Sequence, residues 1–270
     1  APAADIISGL AWGLGYFGMP HILVRFMAIE KPSMVKKSAT VAITWVVLTL
    51  GAASAIAILG RTYLLSDGMS LAELILPDDR KNIFIVIVQD MFPSFIAGLL
   101  LAAIVAAAMS TADSQLLVAS SSFTSDIYKP ILRKGKASDA EVGMVGRIVV
   151  VIVSVVAFFI AASDSEWASD IMAMVENAWG LFGASFGPVI ILSLFWKRLN
   201  FQGTLAGVIA GAVVDLGWLA TLKATTGIYE ILPGFIAGLV MAVVVSLITP
   251  APGAEVEAIF AAATDPNVDD

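Results

Sequence analysis

Apolar residues dominate seven long stretches of the chain, near 5–28, 38–60, 93–122, 143–163, 169–195, 202–222 and 231–249, and short polar, charged or glycine-bearing segments separate them. A hydrocarbon core about 30 Å thick takes roughly 20 helical residues to cross. Each stretch is long enough, so the pattern predicts an all-α polytopic membrane protein with seven transmembrane helices. None reads as a removable signal sequence, because the first has no basic leader and carries polar and glycine residues through its centre. The chain opens at Ala1-Pro2 without an initiator methionine, which leads to the expectation that it is a piece of something longer. Between the second and third stretches, Ile83 to Val88 is too short to span; a surface or re-entrant helix over the outer side is expected there. The tail after Ala251, small and acidic, is expected to be disordered.

Two of the spans break their own pattern. In the first, Gly13, Gly15, Gly18 and Pro20 crowd the middle of a bilayer-length segment. Each glycine weakens helix by about 1 kcal/mol relative to alanine, and Pro20 has no N–H and clashes with the carbonyl of Tyr16. Two half-helices meeting near Gly18 are expected, with the freed backbone groups lining a binding site. In the third span, Ser110, Thr111, Asp113, Ser114 and Gln115 lie deep in the segment. Positions 107, 110 and 111 share one helical face, so the Ala107 carbonyl and the Ser110 and Thr111 hydroxyls offer three neutral oxygens, the ligands a desolvated Na⁺ wants. The other reading is that the hydroxyls bond back to carbonyls or hold helices together. Asp113 is costly in a span and is either an accessory to ion binding or a solvated carboxylate on the inner exit path. Glu176 and Asp215 lie in spans five and six as helix-packing hydrogen bonders or gate residues.

Composition and charge narrow the class. The chain is 59% hydrophobic and 14% charged, with a mean hydropathy of +0.93. A net charge of −7 with no basic cluster argues against nucleic acid, and zero cysteines exclude disulfides, Fe–S clusters and thiol chemistry. A lone histidine, His21, leaves little for metal catalysis. Of the 15 Lys and Arg residues, 11 fall on one side: Arg25, Lys31, Lys36 and Lys37; Lys129, Arg133, Lys134, Lys136 and Arg147; Lys197 and Arg198. The opposite loops hold Arg61, Arg80, Lys81 and Lys223, among acids such as Asp67, Glu73, Asp78, Asp164 and Glu166. By the positive-inside rule the N-terminus is outside and the C-terminus cytoplasmic. Trp167 and Trp196 are expected as interfacial anchors.

Two motif matches lead elsewhere. Gly13-Leu-Gly15-Tyr-Phe-Gly18 satisfies the dinucleotide pattern but follows no strand and lies within the bilayer. Gly183-Ala-Ser185-Phe-Gly187 satisfies the nucleophile-elbow pattern, and an intramembrane serine protease with His21 as base is the enzyme alternative; a close-packed or hinged helix explains the small residues more simply. A passive channel would want a continuous polar lining rather than localised patches.

Trp12-Gly-Leu-Gly-Tyr-Phe-Gly-Met-Pro-His-Ile-Leu-Val-Arg-Phe-Met-Ala, Met109-Ser-Thr-Ala-Asp-Ser-Gln-Leu-Leu-Val-Ala-Ser-Ser, Phe182-Gly-Ala-Ser-Phe-Gly-Pro and Tyr229-Glu-Ile-Leu-Pro-Gly-Phe, in this order, resemble the solute:sodium symporter family. The motifs cover almost the whole chain, and the first resembles the proline-type members. The resemblance implies a multi-pass protein of the inner membrane, not an enzyme, with a leucine-transporter-like five-plus-five inverted repeat. This chain would supply the last seven helices: residues 1–196 the second repeat, 197–250 two peripheral helices and 251–270 a cytoplasmic tail, with the N-terminal half missing. It further implies Na⁺ as coupling ion at Ala107, Ser110 and Thr111. Substrate contacts would fall on Trp12, Tyr16 and Pro20, which in a regular helix share one side with a drift of about 80°. Two aromatic faces suit the ring and secondary ammonium of proline. Asp113 departs from the family pattern, where a small hydroxyl residue is expected. Pantothenate, another monocarboxylate or a sugar is the alternative solute.

Overall fold

A computed structural model describes residues 3–31, 33–66, 77–163 and 171–264. Among them every regular element is helical: α1 (Ala3–Ala11), a 3₁₀ turn (Trp12–Phe17), α2 (Pro20–Met27), α3 (Met34–Ser66), α4 (Pro77–Met91), α5 (Ser94–Ser122), a π-helical stretch (Phe123–Leu132), α6 (Asp139–Ala161), α7 (Ile171–Phe195), α8 (Phe201–Thr221), the single turn α9 (Lys223–Thr226), α10 (Ile231–Ile248) and α11 (Ala254–Ala263). Among the described residues six helices are long and apolar enough to cross a membrane. They become seven if α1 with the 3₁₀ turn and α2, bent by 49°, form one span. The seven apolar stretches of the sequence and these spans coincide. The short run Ile83–Val88 lies on α4, as expected of a helix too short to cross. The tail is corrected: α11 is helical, starting behind Gly253 in extended conformation, because Ala254 to Ala263 is almost wholly alanine, glutamate and aliphatic residues. Trp167, Asp67, Glu73, Asp164 and Glu166 lie outside the described residues, while Trp196 directly follows the end of α7.

The chain divides into two units, residues 30–119 and residues 1–29 with 120–270. In the first, α4 lies on α3 where Gly60 leaves room: a Cβ there would stand 2.7 Å from Ile83 Cγ2 and Ile87 Cδ1. Leu64 and Val88 are buried at this contact. In the second, α7, α8 and α10 pack through small residues. On α8 the buried positions are Gly203, Gly207, Gly211 and Asp215, one every four residues. On α10 they include Gly234, Gly238, Ala242 and Ser246, again every four. Lipid gives helices no hydrophobic reason to associate, so close backbone approach through small side chains supplies the dispersion contacts instead.

Pro188 shapes the centre of this unit. It is buried inside α7, and its missing N–H deprives the Ala184 carbonyl of its helical partner. That carbonyl points at glycine Cα groups on both neighbours. A Cβ on Gly211 would strike it, and one on Gly238 would lie 3.0 Å away. Two Cα–H groups therefore meet an oxygen that lipid could not satisfy. The lower end is tied by Asn200, which caps α8 by accepting from Gly203 N–H at 2.8 Å and donates to Thr249 Oγ1 and the Pro250 carbonyl, each at 2.7 Å. Arg198 donates to the Thr249 carbonyl at 2.8 Å.

Gly211→Ala should lower stability by about 1–3 kcal/mol through overpacking, whereas Gly217→Ala, with nothing within 4 Å of its Cβ, should leave it unchanged or raise it by up to about 1 kcal/mol. Thermal unfolding of both variants in detergent checks the contrast.

Candidate functional site: a broken helix against an aromatic wall

The expected break is present. Helix α1 tightens into the 3₁₀ turn at Trp12, ends at Gly18 with its N–H on the Gly15 carbonyl (3.0 Å), and restarts behind Met19, which is extended (φ −82°, ψ 116°). Pro20 occupies the first position of α2, where its missing N–H costs nothing and its fixed φ is already helical. Its role here is to start a half-helix.

The turn packs on α7 at glycine-to-glycine distance. A Cβ on Gly183 would lie 2.7 Å from Gly15 Cα, one on Gly18 would strike the Phe182 carbonyl, and one on Gly15 would strike the Trp179 indole. Trp179 fills the notch: its Nε1–H donates to the Trp12 carbonyl at 2.9 Å, adding a side-chain donor where 3₁₀ winding leaves poorer hydrogen-bond geometry. Its ring stacks on Trp12 (centroids 5.8 Å, 18°) and takes Tyr16 on edge (4.8 Å, 84°). Trp12 also meets Tyr229 at 5.7 Å. The regular-helix spacing expected for Trp12 and Tyr16 gives way to a 3₁₀ arrangement, in which residues four apart diverge by about 120°. The two rings therefore meet Trp179 on different sides. Trp12 is half-buried in this wall, and Tyr16 is 53% exposed.

Beyond Tyr229 lies a polar cluster. Lys223 Nζ pairs with Glu176 Oε1 at 3.2 Å and with Glu230 Oε2 at 2.9 Å, and stands 5.5 Å from the Tyr229 ring centre. The Tyr229 hydroxyl donates to the Glu176 carbonyl at 2.6 Å, and its backbone N–H donates to Ser8 Oγ at 3.0 Å. Glu176, left open between packing and gating, is thus an ion-pair partner. Burial opposes the charge on Lys223, but hydrogen bonds to Glu230 and Glu176 outweigh it and hold the ammonium above the usual lysine range. Burial, then Glu230 and Glu176, also raise the Tyr229 phenol above its ordinary value.

On α5, in the other unit, the face formed by Ala107, Ser110 and Thr111 is exposed. Thr111 Oγ1 donates to the Ala107 carbonyl at 3.2 Å and Ser114 Oγ to the Ser110 carbonyl at 3.0 Å, which is the back-bonding reading. Both Thr111 Oγ1 lone pairs and one on the carbonyl remain, so the bond and ion ligation are compatible. Asp113 is exposed on the same helix. Ser185 is buried and donates to the Leu181 carbonyl at 2.6 Å; the Gly183–Gly187 segment is the close-packed helix, not a nucleophile elbow. Among the described residues no group of three or more His, Cys, Asp or Glu side chains is placed to hold a metal ion.

Sequence reading missed Trp179 and Lys223. The signal for Trp179 was its place four residues before Gly183, on the stripe that receives the broken helix; Lys223 looked like an ordinary loop cation.

A multi-pass helical membrane protein whose first span breaks at mid-length against an aromatic wall is the class these features define. The chain belongs to the sodium:solute symporter family, which matches residues 1–211. It is 42% identical over 253 residues to the osmoregulated proline transporter OpuE of Bacillus subtilis, covering 93% of this chain and 49% of that protein. It is 44% identical to sodium/proline symporter 2 of Staphylococcus saprophyticus (92% and 48% covered) and 42% identical to the sodium/proline symporter of Staphylococcus aureus (93% and 49%). The chain spans about half the length of these curated relatives. No solved structure matches it.

Trp179→Phe should remove the side-chain hydrogen bond on the Trp12 carbonyl and cost about 0.5–1.5 kcal/mol; hydrogen exchange at residues 12–18 should accelerate while that of α8 does not. Lys223 and Tyr229 both hold their protons more tightly than their ordinary values of 10.5 and 10.0. Their contribution to stability is therefore complete below about pH 10 and is lost as pH rises through the folded-state values. Tyr229→Phe should make the alkaline fall in the unfolding midpoint shallower.

Proposed function

We propose that this chain forms the second repeat and two peripheral helices of a sodium-coupled symporter for an amino acid, L-proline first. Residues 1–196 are the repeat, 197–250 the peripheral helices and 251–270 the cytoplasmic tail, and an N-terminal half completes the leucine-transporter-like fold. The observation that carries this reading is the identity of 42–44% to proline transporters across more than nine-tenths of the chain. The aromatic wall supports it: Tyr16 offers an exposed ring, and Trp12 a ring beside the break, to a solute with an apolar ring and a secondary ammonium.

The protein works as a secondary transporter in the inner membrane, with the N-terminus of this chain outside and the C-terminus cytoplasmic, as the eleven basic residues on one side favour. Na⁺ is carried as a second substrate, ligated by the Ala107 carbonyl and the Ser110 and Thr111 hydroxyls, with Asp113 as an accessory carboxylate on its path. Alternation between outward and inward access moves both solutes across. One ion suffices energetically: about 2.3 kcal/mol per 100 mV and about 1.4 kcal/mol per tenfold Na⁺ gradient support roughly 500-fold accumulation.

In proteoliposomes holding the transporter that this chain completes, Thr111→Ala and Ser110→Ala should raise the Na⁺ concentration for half-maximal proline uptake at normal protein levels. An unchanged Na⁺ dependence contradicts the ion assignment. Trp12→Ala or Tyr16→Ala should weaken proline affinity by about 1–3 kcal/mol. Equal affinity in both variants would mark the rings as packing, and uptake of pantothenate or a sugar in place of proline would move the solute assignment.

A further inference from the structure

Three spans end at one place. Helix α7 finishes at Phe195, α8 starts at Phe201 and α10 finishes at Ile248, and beside these ends the chain encloses a cavity of about 470 Å³. That volume lies within the roughly 300–1,000 Å³ of pockets that hold small organic molecules. One wall is α11, which turns Val256 and Phe260, a helical turn apart, to the cavity. Because the other walls are span ends, the cavity sits at the depth of lipid headgroups. Phe195, Phe201 and Ile248 at these ends are all largely exposed, the kind of apolar surface that acyl chains cover.

The lining offers donors and no acid. Among the described residues Lys197 is its one charged side chain, and neither Glu255 nor Glu257 of α11 belongs to it. The Lys197 ammonium, the Trp196 indole N–H and the Gln202 amide, all from lining residues, have no hydrogen-bond or ion-pair partner among the described residues. Arg198 is engaged by the Thr249 and Pro250 carbonyls, at 2.8 and 3.4 Å, so it braces the wall and adds positive potential. One unpaired positive charge among free donors calls for a singly charged anion that brings acceptor oxygens. A phosphodiester supplies both. The ammonium of a zwitterionic headgroup would find no carboxylate in the lining. A small free anion would leave Leu199, Val256 and Phe260 uncovered, whereas the glycerol backbone and first methylenes of a lipid bury them.

We propose that this cavity binds the headgroup of one anionic phospholipid with an uncharged polyol, of the phosphatidylglycerol class, in the leaflet on the basic side of the membrane. Lys197 and Trp196 hold the phosphate, and Gln202 meets the polyol hydroxyls. The bound lipid ties α11 to the ends of α7 and α8. The site shares no residue with the solute and ion sites proposed above and holds whichever solute is carried.

The test uses the transporter that this chain completes, purified in mild detergent and supplied with phosphatidylglycerol or phosphatidylethanolamine. Native mass spectrometry counts the lipid retained, and thermal unfolding gives the midpoint. Phosphatidylglycerol should be retained as one molecule and raise the midpoint; phosphatidylethanolamine should do neither. Lys197→Gln should weaken phosphatidylglycerol retention about tenfold, the scale of one hydrogen bond to a charged group. Lys136→Gln removes an exposed lysine on the same side of the membrane and should change nothing, which separates the cavity from general attraction to basic loops. Val256→Trp, on α11 outside the spans, fills the cavity and should expel the lipid; should Lys197→Gln fail to fold, this variant decides. Equal retention of the two lipids, or phosphatidylglycerol retention unchanged in the deciding variant, overturns the proposal. Inorganic phosphate that raises the midpoint as far as the lipid does would mark a site for a soluble anion and overturn it equally.

Discussion

A carbonyl oxygen in the middle of a bilayer has no water to turn to, and this constraint governs the arrangement of α7 and its neighbours. The unit containing α7 frees one such oxygen and leaves another in a poorer bond. Pro188 releases the carbonyl of Ala184, and 3₁₀ winding gives that of Trp12 only the tighter, weaker i→i+3 pairing. The first is met by glycine Cα groups of α8 and α10, the second by the indole of Trp179. Both solutions require small residues, because a hydrogen bond from a side chain or a Cα–H forms only when backbones come close. The glycines of α7 thus serve two neighbours at once. Gly183 and Gly187 admit the broken helix, while Gly180 is packed closely against Asp215, Tyr229 and Glu230.

The spans were legible because their signal is strong and one-dimensional: a run of apolar residues long enough for lipid can do little else. The break at Gly18 was equally legible, since Gly13, Gly15, Gly18 and Pro20 weaken the same turn and no distant contact is needed to predict it. The fate of Trp12 and Tyr16 was only half legible. Their types pointed to a binding wall, but their relative direction depended on how tightly the backbone winds between them, and 3₁₀ winding follows from packing on Gly183. Trp179 was invisible for the same reason. An indole in an apolar span looks like core until its N–H is seen on a carbonyl from a helix 167 residues away in sequence.

The tail shows a different failure. Its acidic and small composition reads as disorder, yet Ala254–Ala263 forms a helix, because alanine lowers hydrophobicity while raising helix propensity. On α5, Thr111 donates to the Ala107 carbonyl, a bond that the spacing permitted as readily as it permitted three converging oxygens. Sequence spacing defines a face; whether its oxygens turn toward one another or outward is a matter of rotamers.

Helices α8 and α10 are fastened at both ends by different chemistry. Asn200 and Arg198 grip Thr249 and Pro250 at one end, and Lys223 ties Glu230 and Glu176 at the other. Between these fastenings runs a seam of glycines with no slack for sliding. Such a body has no soft internal coordinate: it can be carried or tilted as one piece, but shear between its members would break both clasps and bring Cα atoms into collision. The flexible coordinate nearest to it is the Gly18–Met19 joint, whose extended residue can absorb rotation without disturbing a single helical hydrogen bond of α7. Stiffness and hinge therefore sit side by side, with Gly18 seated directly on the backbone of α7 at Phe182 and Gly183.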